Sequence, residues 1–367
     1  MADEESGGTI PPDIITDILY RLPAKSIGRF RCVSKSWLSL LSDPKFIKTH
    51  RNTLNQNHLI FISNNYSLYS LPSHQNHEEN VLLKPTKIQL ELPHVEFNLQ
   101  GSCNGLVLVS ADDFDYDHTL VVFNPTTREF VELPVSGYEM VDDLLEIDIM
   151  YGFGYDSVAD DYKVVTISYF HYNYLISPDV MSVHVYSLRT NTWKSVIDSP
   201  YDHSHGKSLS GVFVNGFLHW IAKEKGGSDH HLSVIVAFSI ADEKFSQVPL
   251  PTYEGDDIMS KNDCKLVALG EKLAIFLEME GVVWLMDEYG LGESWTKIII
   301  NGFNEVPLVE PMIFDENGKF LLASRDLILM YNVKERTFCN SLDISWNQKY
   351  VKIRGTYVES LVSPKFT

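Results

Sequence analysis

Two histidine-bearing stretches contain residue types that bind metal ions. Asp202-His203-x-His205 and His230-His231 combine imidazole with carboxylate, a donor set that zinc and copper accept. Both stretches are polar, and histidine in a polar loop is commonly just a surface residue. The carboxylates that would complete a site are ambiguous, so we expect no metal and no cofactor.

Other catalytic signatures are missing from the sequence. It has no G-x-S-x-G nucleophile motif, no P-loop and no G-x-G-x-x-G in a strand-to-helix setting. Cys32 has no His or acid that can be identified as its catalytic partner. The sequence has four cysteines, and no two of them form a C-x-x-C pair, so it indicates neither a zinc cluster nor a disulfide framework. They are Cys32, Cys103, Cys264 and Cys339. We expect buried, reduced thiols and a protein that is not an enzyme.

Composition indicates a soluble globular protein. With 367 residues, 44% of them hydrophobic, the chain can bury a large core in one domain or two. It begins MADEESGG, which is unlike the basic-then-apolar start of a secretory signal. No apolar run approaches the roughly 18 residues of a membrane-spanning helix. We therefore expect a location in the cytoplasm, the nucleus or both.

Charge is distributed unevenly along the chain. Residues 21–51 hold eight basic residues and the single acid Asp43, a net charge of +7, whereas the whole chain carries −19. The remainder therefore sums to −26, and so acidic a body repels phosphate backbones. The basic segment suits docking to an acidic protein partner better than binding to nucleic acid or a membrane.

A helical pattern of apolar residues occupies the same region. It begins after Pro11-Pro12 and ends at Leu22-Pro23. A second short helix is predicted around Ile27 and Phe30, and a third around Trp37, with Asp43-Pro44 breaking it. Three helices of this size bury too little surface to form a stable fold by themselves. We expect them to bind a partner.

The stretch IPPDIITDILYRLPAKSIGRFRCVSKSWLSLLSDPKF resembles an F-box. This module docks substrate receptors onto the Skp-family adaptor of cullin-based ubiquitin ligases. The match covers residues 10–50, with Ile10-Pro11 in place of the usual Leu-Pro opening, followed by Leu22-Pro23 and the run from Arg31 to Trp37. The resemblance implies contacts to the adaptor from Pro11, Ile14, Pro23, Val33 and Trp37. Trp37 and Ile18 are also candidates for the internal core of the helices.

Turn signals recur through the rest of the chain about every 50 residues. One set consists of Asn104-Gly105, Asp160-Asp161, Asn215-Gly216, Gly270-Glu271 and Asn317-Gly318. A second set alternates with the first, and its members end on Phe130, Trp193, Phe245, Trp295 and Phe338. The flanking segments are β-branched and aromatic enough for strands, so each unit holds two hairpins, or four strands.

Units of four strands predict a mainly β protein folded as a β-propeller. Five units run from Gly101 to about Ile344, and residues 58–92 look like part of a sixth. The terminal GTYVESLVSP supplies a strand that completes this blade and closes the ring. We therefore expect about six blades, although five or seven also fit the spacing.

Four further stretches resemble the F-box-associated, kelch-related domain of the large plant family of F-box receptors. They read CNGLVLV, VFNPTTREFVELP, GFGYDSVADDYKVV and VNGFLHWIA. The expected organisation is a flexible N-terminus at 1–9, an F-box at 10–50, a linker at 51–57 and a propeller at 58–364.

The longer connections predict the position of a client site. Because the two hairpin turns of each unit are short and share one face, the longer connections emerge on the opposite face. Two of these connections, 111–118 and 169–180, combine acids with aromatics, which suits a basic protein surface. Our candidate client-binding residues are Asp112, Asp113, Phe114, Asp115, Tyr116, Asp117, Tyr169, Phe170, Tyr172 and Tyr174.

The family resemblance implies the substrate-recognition subunit of a Skp–cullin–F-box ubiquitin ligase. Its partners would be the Skp-family adaptor, through it the cullin and RING subunits, and a client protein that the sequence does not name. Two alternatives stay open: a propeller lectin or enzyme that uses the helices as a cap, and a scaffold that binds the adaptor without promoting ubiquitination.

Overall fold

The computed structural model describes most of the chain. The described residues are 10–54, 57–63, 67–73, 85–88, 96–112, 118–135, 147–172, 175–203, 209–225, 233–251, 264–303, 309–324, 327–343 and 351–366. Four helices precede six β-sheets.

The N-terminal helices form a small module. They are α1 (Pro12–Tyr20), α2 (Ala24–Phe30), α3 (Lys35–Leu41) and α4 (Pro44–Leu54). The predicted Leu22-Pro23 break separates α1 from α2, and the Ser34 side chain caps α3 by accepting a hydrogen bond from the Trp37 N–H at 3.2 Å. The module has its own core, formed by Leu19, Ala24, Ile27, Leu41 and Phe46 together with Leu361 from the other end of the chain.

The third helix ends before Asp43-Pro44, as predicted, but a fourth helix that was not predicted begins there. Pro44 occupies the first position of α4, and Asp43 Oδ1 accepts hydrogen bonds from the N–H groups of Lys45 at 2.8 Å and Phe46 at 3.2 Å. A proline in the first turn and an acidic cap start a helix as readily as they end one. Residues 51–54 form the end of α4.

The β-strands follow in chain order. The first eleven are β1 (Asn57–Ser63), β2 (Leu68–Pro72), β3 (Thr86–Ile88), β4 (Glu96–Cys103), β5 (Leu106–Asp112), β6 (His118–Phe123), β7 (Phe130–Glu132), β8 (Ile147–Asp156), β9 (Asp161–Tyr172), β10 (Leu175–Ser187) and β11 (Thr192–Ser195). The next nine are β12 (Tyr201–Asp202), β13 (Val212–Val214), β14 (Phe217–Glu224), β15 (Ser233–Ser239), β16 (Phe245–Val248), β17 (Cys264–Leu269), β18 (Lys272–Leu277), β19 (Val282–Met286) and β20 (Trp295–Ile299). The last five are β21 (Glu310–Phe314), β22 (Lys319–Ala323), β23 (Leu327–Asn332), β24 (Thr337–Asp343) and β25 (Val351–Val358).

These strands form the six predicted blades, all antiparallel. Blade 1 has the order β25-β1-β2-β3, blade 2 β4-β5-β6-β7 and blade 3 β8-β9-β10-β11. In blade 4, β12 and β13 both pair with β14, which is followed by β15 and β16. Blade 5 is β17-β18-β19-β20, and blade 6 is β21-β22-β23-β24. The ring closes through β25, as predicted, although this strand ends at Val358 and covers only the first part of the predicted stretch.

The core is a ring of six apolar layers, one between each pair of neighbouring blades. Side chains alternate along β1 in the way that the two-residue period of a strand requires. Leu59 and Phe61 pack toward blade 6, whereas Ile60 and Ile62 pack toward blade 2. Each blade is therefore apolar on both faces and depends on both neighbours.

The two ends of the propeller differ. The first-to-second and third-to-fourth strand turns lie at one end, which we call the turn face. Asn104-Gly105 and Asn215-Gly216 have two consecutive positive φ angles, 54° and 88° and then 52° and 83°, which suits tight two-residue hairpins. Strand direction places the second-to-third strand connections and the blade-to-blade connections at the opposite end, the loop face. Both the start of β1 and the end of β25 lie at the turn face, because β1 and β25 are antiparallel.

A buried charge cluster joins blades 3 and 4. Lys163 Nζ lies 2.9 Å from Asp156 Oδ2, Glu243 Oε1 and the Ile240 carbonyl oxygen. Burial alone would raise the pKa of the Asp156 carboxyl, but hydrogen bonds from Lys163 and from two backbone N–H groups outweigh it and lower that pKa. The pKa of Glu243 is lowered in the same way against the effect of burial, by hydrogen bonds from Lys194 and Lys163.

We expect Lys163→Met to reduce the free energy of unfolding in urea by about 3–5 kcal/mol, because it leaves the buried Asp156 carboxylate without its cation and Glu243 with only the exposed Lys194. The control is Lys194→Met, which removes an ammonium that is 58% exposed and lies 2.7 Å from Glu243 Oε2. It should cost less than about 1 kcal/mol.

The same pair of variants has an expected pH dependence. A carboxyl whose pKa is lowered by folding stabilises the native state above its unfolded pKa, and this stability is lost as pH falls through the folded pKa. The difference between wild type and Lys163→Met should therefore shrink on acidification. A difference that stayed constant down to the acid transition would show that these carboxylates do not depend on Lys163.

Candidate functional site

The helical module carries a concentration of exposed apolar side chains. Of the fourteen exposed large hydrophobic residues in the described part of the chain, six lie within residues 10–40. They are Ile10 (56% exposed), Ile14 (52%), Ile18 (49%), Val33 (66%), Leu38 (48%) and Leu40 (38%). The other eight are spread singly over the propeller, as is usual for soluble proteins. The module therefore offers a surface suited to a protein partner.

The amphipathic character of α1 explains part of this surface. Leu19 is buried in the helical core, and Ile15 packs against that core. Ile14 and Ile18 are four residues apart and so lie on the same side of the helix, and both are exposed. The helix is thus apolar on two sides, of which its own module covers only one.

The predicted adaptor-facing residues fall mostly on the exposed surface. Pro11, Ile14, Pro23 and Val33 are all exposed. Trp37 is half-buried, and its ring packs edge-on against Phe30 with the centroids 5.4 Å apart. Trp37 therefore belongs partly to the core of the module.

Sequence reasoning misplaced or missed several of these residues. The expectation that Ile18 is internal was wrong, because its side chain is 49% exposed. The sequence analysis also did not identify Ile10, Leu38 or Leu40 as residues of the exposed surface. The spacing of Ile10, Ile14 and Ile18, four residues each, was a signal that could have found the ridge on α1. The exposure of α3 residues depends on how the helices pack and has no comparable local signal.

The module also carries several exposed cations, one of which, Arg21, is paired with Asp17 at 2.9 Å. The exposed basic residues of the module are Arg21, Lys25, Arg29, Lys35, Lys45 and Lys48. Arg31 has a structural role instead, since its Nε and Nη2 donate to the Leu41 carbonyl oxygen at 3.1 and 2.8 Å and so satisfy the end of α3. The surface as a whole combines apolar contact area with positive charge.

His50 fixes α4 against the break between α1 and α2. Its ring is fully buried and stacks on Phe46 with the centroids 5.9 Å apart. Nε2 lies 2.7 Å from the Leu22 carbonyl oxygen and must donate, because a carbonyl only accepts. Burial lowers the pKa of His50, so the ring is held neutral.

The candidate client residues on the loop face are only partly described. Asp112 ends β5, opposite Glu96 and His118. The following stretch, 113–117, lies outside the described residues, and so does Tyr174. Phe170 and Tyr172 are on β9, opposite Ile147 and Leu175, and nothing is described of their side chains.

Tyr169 does not belong to a client-binding surface. Its side chain is 1% exposed and packs in the layer between blades 3 and 4. The hydroxyl accepts a hydrogen bond from the His203 backbone N–H at 2.6 Å. The prediction of a long connection at 169–180 was also wrong, because most of this stretch belongs to two paired strands. Strand β9 extends to Tyr172 and β10 begins at Leu175, and the two strands pair there through Tyr172 with Leu175 and His171 with Ile176.

The metal-binding alternative gains no geometric support. His203 is 1% exposed, and its Nε2 lies 2.8 Å from Ser199 Oγ. Burial lowers the pKa of His203 to about 4. Within the described ranges no group of three or more His, Cys, Asp or Glu side chains is placed to hold a metal ion, while His205, His230 and His231 lie outside them. Among the described helices, none is long and apolar enough to cross a membrane.

Comparison with known families matches both parts of the chain. Residues 9–49 match the F-box domain, and residues 58–364 match the F-box associated beta propeller domain. The chain belongs to the F-box proteins with an F-box-associated propeller. F-box substrate receptors are generally non-catalytic.

Plant F-box proteins are similar over most of their length. The F-box/kelch-repeat protein At3g23880 of Arabidopsis thaliana is 28% identical over 372 residues, which cover 97% of this chain and 96% of that protein. The F-box protein CPR1 of Arabidopsis thaliana is 31% identical over 344 residues, covering 86% of this chain and 79% of that protein. A solved fungal lectin with a six-bladed β-propeller, from Aleuria aurantia, has a TM-score of 0.40 and 10% identity over 79% of this chain and 92% of the lectin. A likeness of that size supports no functional inference.

The four cysteines give a direct test of the exposed surface. The expectation of buried thiols holds for Cys103 and Cys264 but was wrong for Cys32 and Cys339, which are exposed. We expect a maleimide to modify Cys32 and Cys339 rapidly in the native protein. Cys103 should react only after unfolding, because burial raises its pKa to about 12 and suppresses the reactive thiolate. Peptide mass spectrometry identifies the sites, and rapid native labelling of Cys103 would contradict the packing described between blades 2 and 3.

Proposed function

We propose that this F-box protein is the substrate-recognition subunit of a Skp–cullin–F-box ubiquitin ligase. The observation that supports this most is the set of exposed apolar side chains on residues 10–40 of the F-box, in a module that also carries exposed cations. A free surface of this kind is costly to leave in water. Burying one Val, Leu or Ile side chain completely is worth about 1.5–3 kcal/mol, so covering several half-exposed ones offers a partner substantial affinity.

The partner that fits this surface is the Skp-family adaptor. Its contact must supply apolar side chains for Ile14 and Val33 and negative charge for the surrounding lysines and arginines. Through the adaptor, the cullin and RING subunits would join the complex. The receptor itself then performs no bond chemistry, and it raises the effective concentration of client lysines near a ubiquitin-loaded enzyme. This role places the protein in the cytoplasm, the nucleus or both.

We expect the double substitution Ile14→Asp, Val33→Asp to abolish binding of the purified adaptor, because it places unpaired charges in an apolar contact. Both side chains are at least half exposed, so the fold should survive. The matched control is Ile197→Asp, Val158→Asp, the same substitutions at propeller positions that are 81% and 85% exposed. Calorimetric titration measures the affinity, and circular dichroism checks the fold of each variant.

Thiol protection supplies a second measurement on the unaltered protein. Cys32 adjoins Val33 in the F-box, whereas Cys339 lies on β24 of blade 6. Saturating adaptor should slow alkylation of Cys32 and leave that of Cys339 unchanged. Equal labelling rates with and without adaptor, or normal adaptor binding by the Ile14→Asp, Val33→Asp variant, would refute the proposed docking surface.

We further propose that the client binds on the loop face of the propeller. The F-box is attached at the turn face, which leaves the opposite end of the strands open to a second protein. The acidic stretch from Asp112 to Asp117 then provides charge for a basic client surface. With Tyr169 buried, Phe170 and Tyr172 remain as the aromatic candidates of the adjoining blade.

For clients captured from plant tissue with the proteasome blocked, we expect the association rate to fall steeply with rising salt. Electrostatic steering is screened over about 8 Å at physiological ionic strength. Replacing Asp112, Asp113, Asp115 and Asp117 by Asn should slow association with the client and leave adaptor binding unaffected. Surface-immobilised kinetics at low and high salt measure both rates. If the association rate did not change, the acidic stretch would contribute to solubility only.

A reconstituted ubiquitination assay distinguishes a ligase receptor from a scaffold.

A further inference from the structure

The eight residues that follow β25 lie between the F-box and the propeller. We call this segment, 359–366, the strap. Successive residues of the strap contact the two parts of the protein in turn. Glu359 and Leu361 contact the helices, and Ser360 and Val362 contact the propeller. Such alternation is what an extended chain between two surfaces gives.

On the helical side, the strap completes both the hydrogen bonding and the core of the F-box. Burial raises the pKa of the Glu359 carboxyl, and hydrogen bonds from the backbone N–H groups of Ala24 and Lys25, the first two residues of α2, act against that rise. These N–H groups have no partner within the helix, and the cap residue Pro23 offers no side-chain acceptor. Leu361 is 2% exposed and packs within the helical core, where every other member comes from residues 15–47.

On the propeller side, the strap is held by blades 2 and 3. Asn124, which is fully buried, donates from Nδ2 to the carbonyl oxygens of Ser360 at 3.0 Å and Val362 at 2.7 Å. Ser360 also lies so close to Gly105 that a Cβ on this glycine would overlap the Ser360 side chain. Further along, the Arg189 guanidinium lies 5.1 Å from the ring centre of Phe366.

These contacts give the F-box a second attachment to the propeller. The first is the covalent connection between Leu54, the last residue of α4, and Asn57, the first residue of β1. A single chain connection leaves a small module free to rotate about it. A second attachment at a distant point in the sequence, made through a buried carboxylate and a buried leucine, removes that freedom.

We propose that the strap sets the orientation of the F-box on the propeller, with Glu359 and Leu361 as the positioning residues. The functional meaning rests on the proposed ligase role: a fixed F-box holds the loop face, and hence a bound client, at a set distance and angle from the adaptor. Glu359 and Leu361 lie on the side of the helices that faces the propeller, so the strap acts without contacting the adaptor or the client.

The native cysteines allow this orientation to be measured. Cys32 on the F-box and Cys339 on blade 6 are exposed, and Cys103 and Cys264 are buried, so nitroxide labelling selects one site on each part. Pulsed electron–electron resonance then yields the distribution of distances between the two labels in the full-length chain. We expect a single narrow distribution in the wild-type protein.

The test variants are Glu359→Ala and Leu361→Ala, each of which removes one contact of the strap with the helices. Both should broaden or shift the distance distribution. Glu359→Gln keeps an accepting oxygen in place and should stay close to wild type. The matched controls are Glu316→Ala and Leu291→Ala, at exposed propeller positions, and they should leave the distribution unchanged.

Adaptor affinity, measured on the same unlabelled variants, separates orientation from folding. The proposal predicts a broadened distribution with unchanged affinity for Glu359→Ala or Leu361→Ala. Wild-type distributions in both variants would overturn it, and so would loss of adaptor binding by both, which would mean that the strap is needed to fold the F-box. Failure of the wild-type protein to bind the adaptor would refute the ligase role and leave the distance measurement standing as a test of the strap.

Discussion

Pairing of β25 with β1 is the interaction on which the rest of the structure depends. The two strands pair from Asn57 opposite Val358 to Ser63 opposite Val351, although nearly three hundred residues separate them in sequence. Each blade is apolar on both faces, so a ring left open would expose two of the six layers between blades to water. Closure by a strand from the far end of the chain buries them all.

Closure also decides where the two ends of the chain lie. Because β1 and β25 are antiparallel neighbours, the start of one and the end of the other meet at the turn face. The F-box and the strap are therefore neighbours by topology, and Leu361 can enter the helical core. A module of about 45 residues has little core of its own, so a leucine supplied by the propeller domain is a substantial addition to its packing.

Positive and negative charge are concentrated in different parts of the protein. Apolar and positively charged side chains lie together on the F-box, whereas the rest of the chain is acidic. The sign of the net charge therefore differs between the F-box segment and the rest of the chain. The ionic contact of Lys163 with Glu243 instead joins blades 3 and 4, whereas its contact with Asp156 lies within blade 3.

The sequence alone determined the local features and the repeat. Turn pairs such as Asn104-Gly105 encode hairpins within a few residues, and their regular spacing predicted six blades and closure by the C-terminal strand. The F-box motif likewise identified Ile14 and Val33 on a surface that is indeed exposed. Asp43-Pro44 misled because the same two residues suit the end of one helix and the start of the next. Only the tertiary structure decided that Tyr169 is buried and that Glu359 lies at the start of α2. Each of these depends on a neighbour that is remote in sequence, and no local pattern records which remote residues the closed ring brings together.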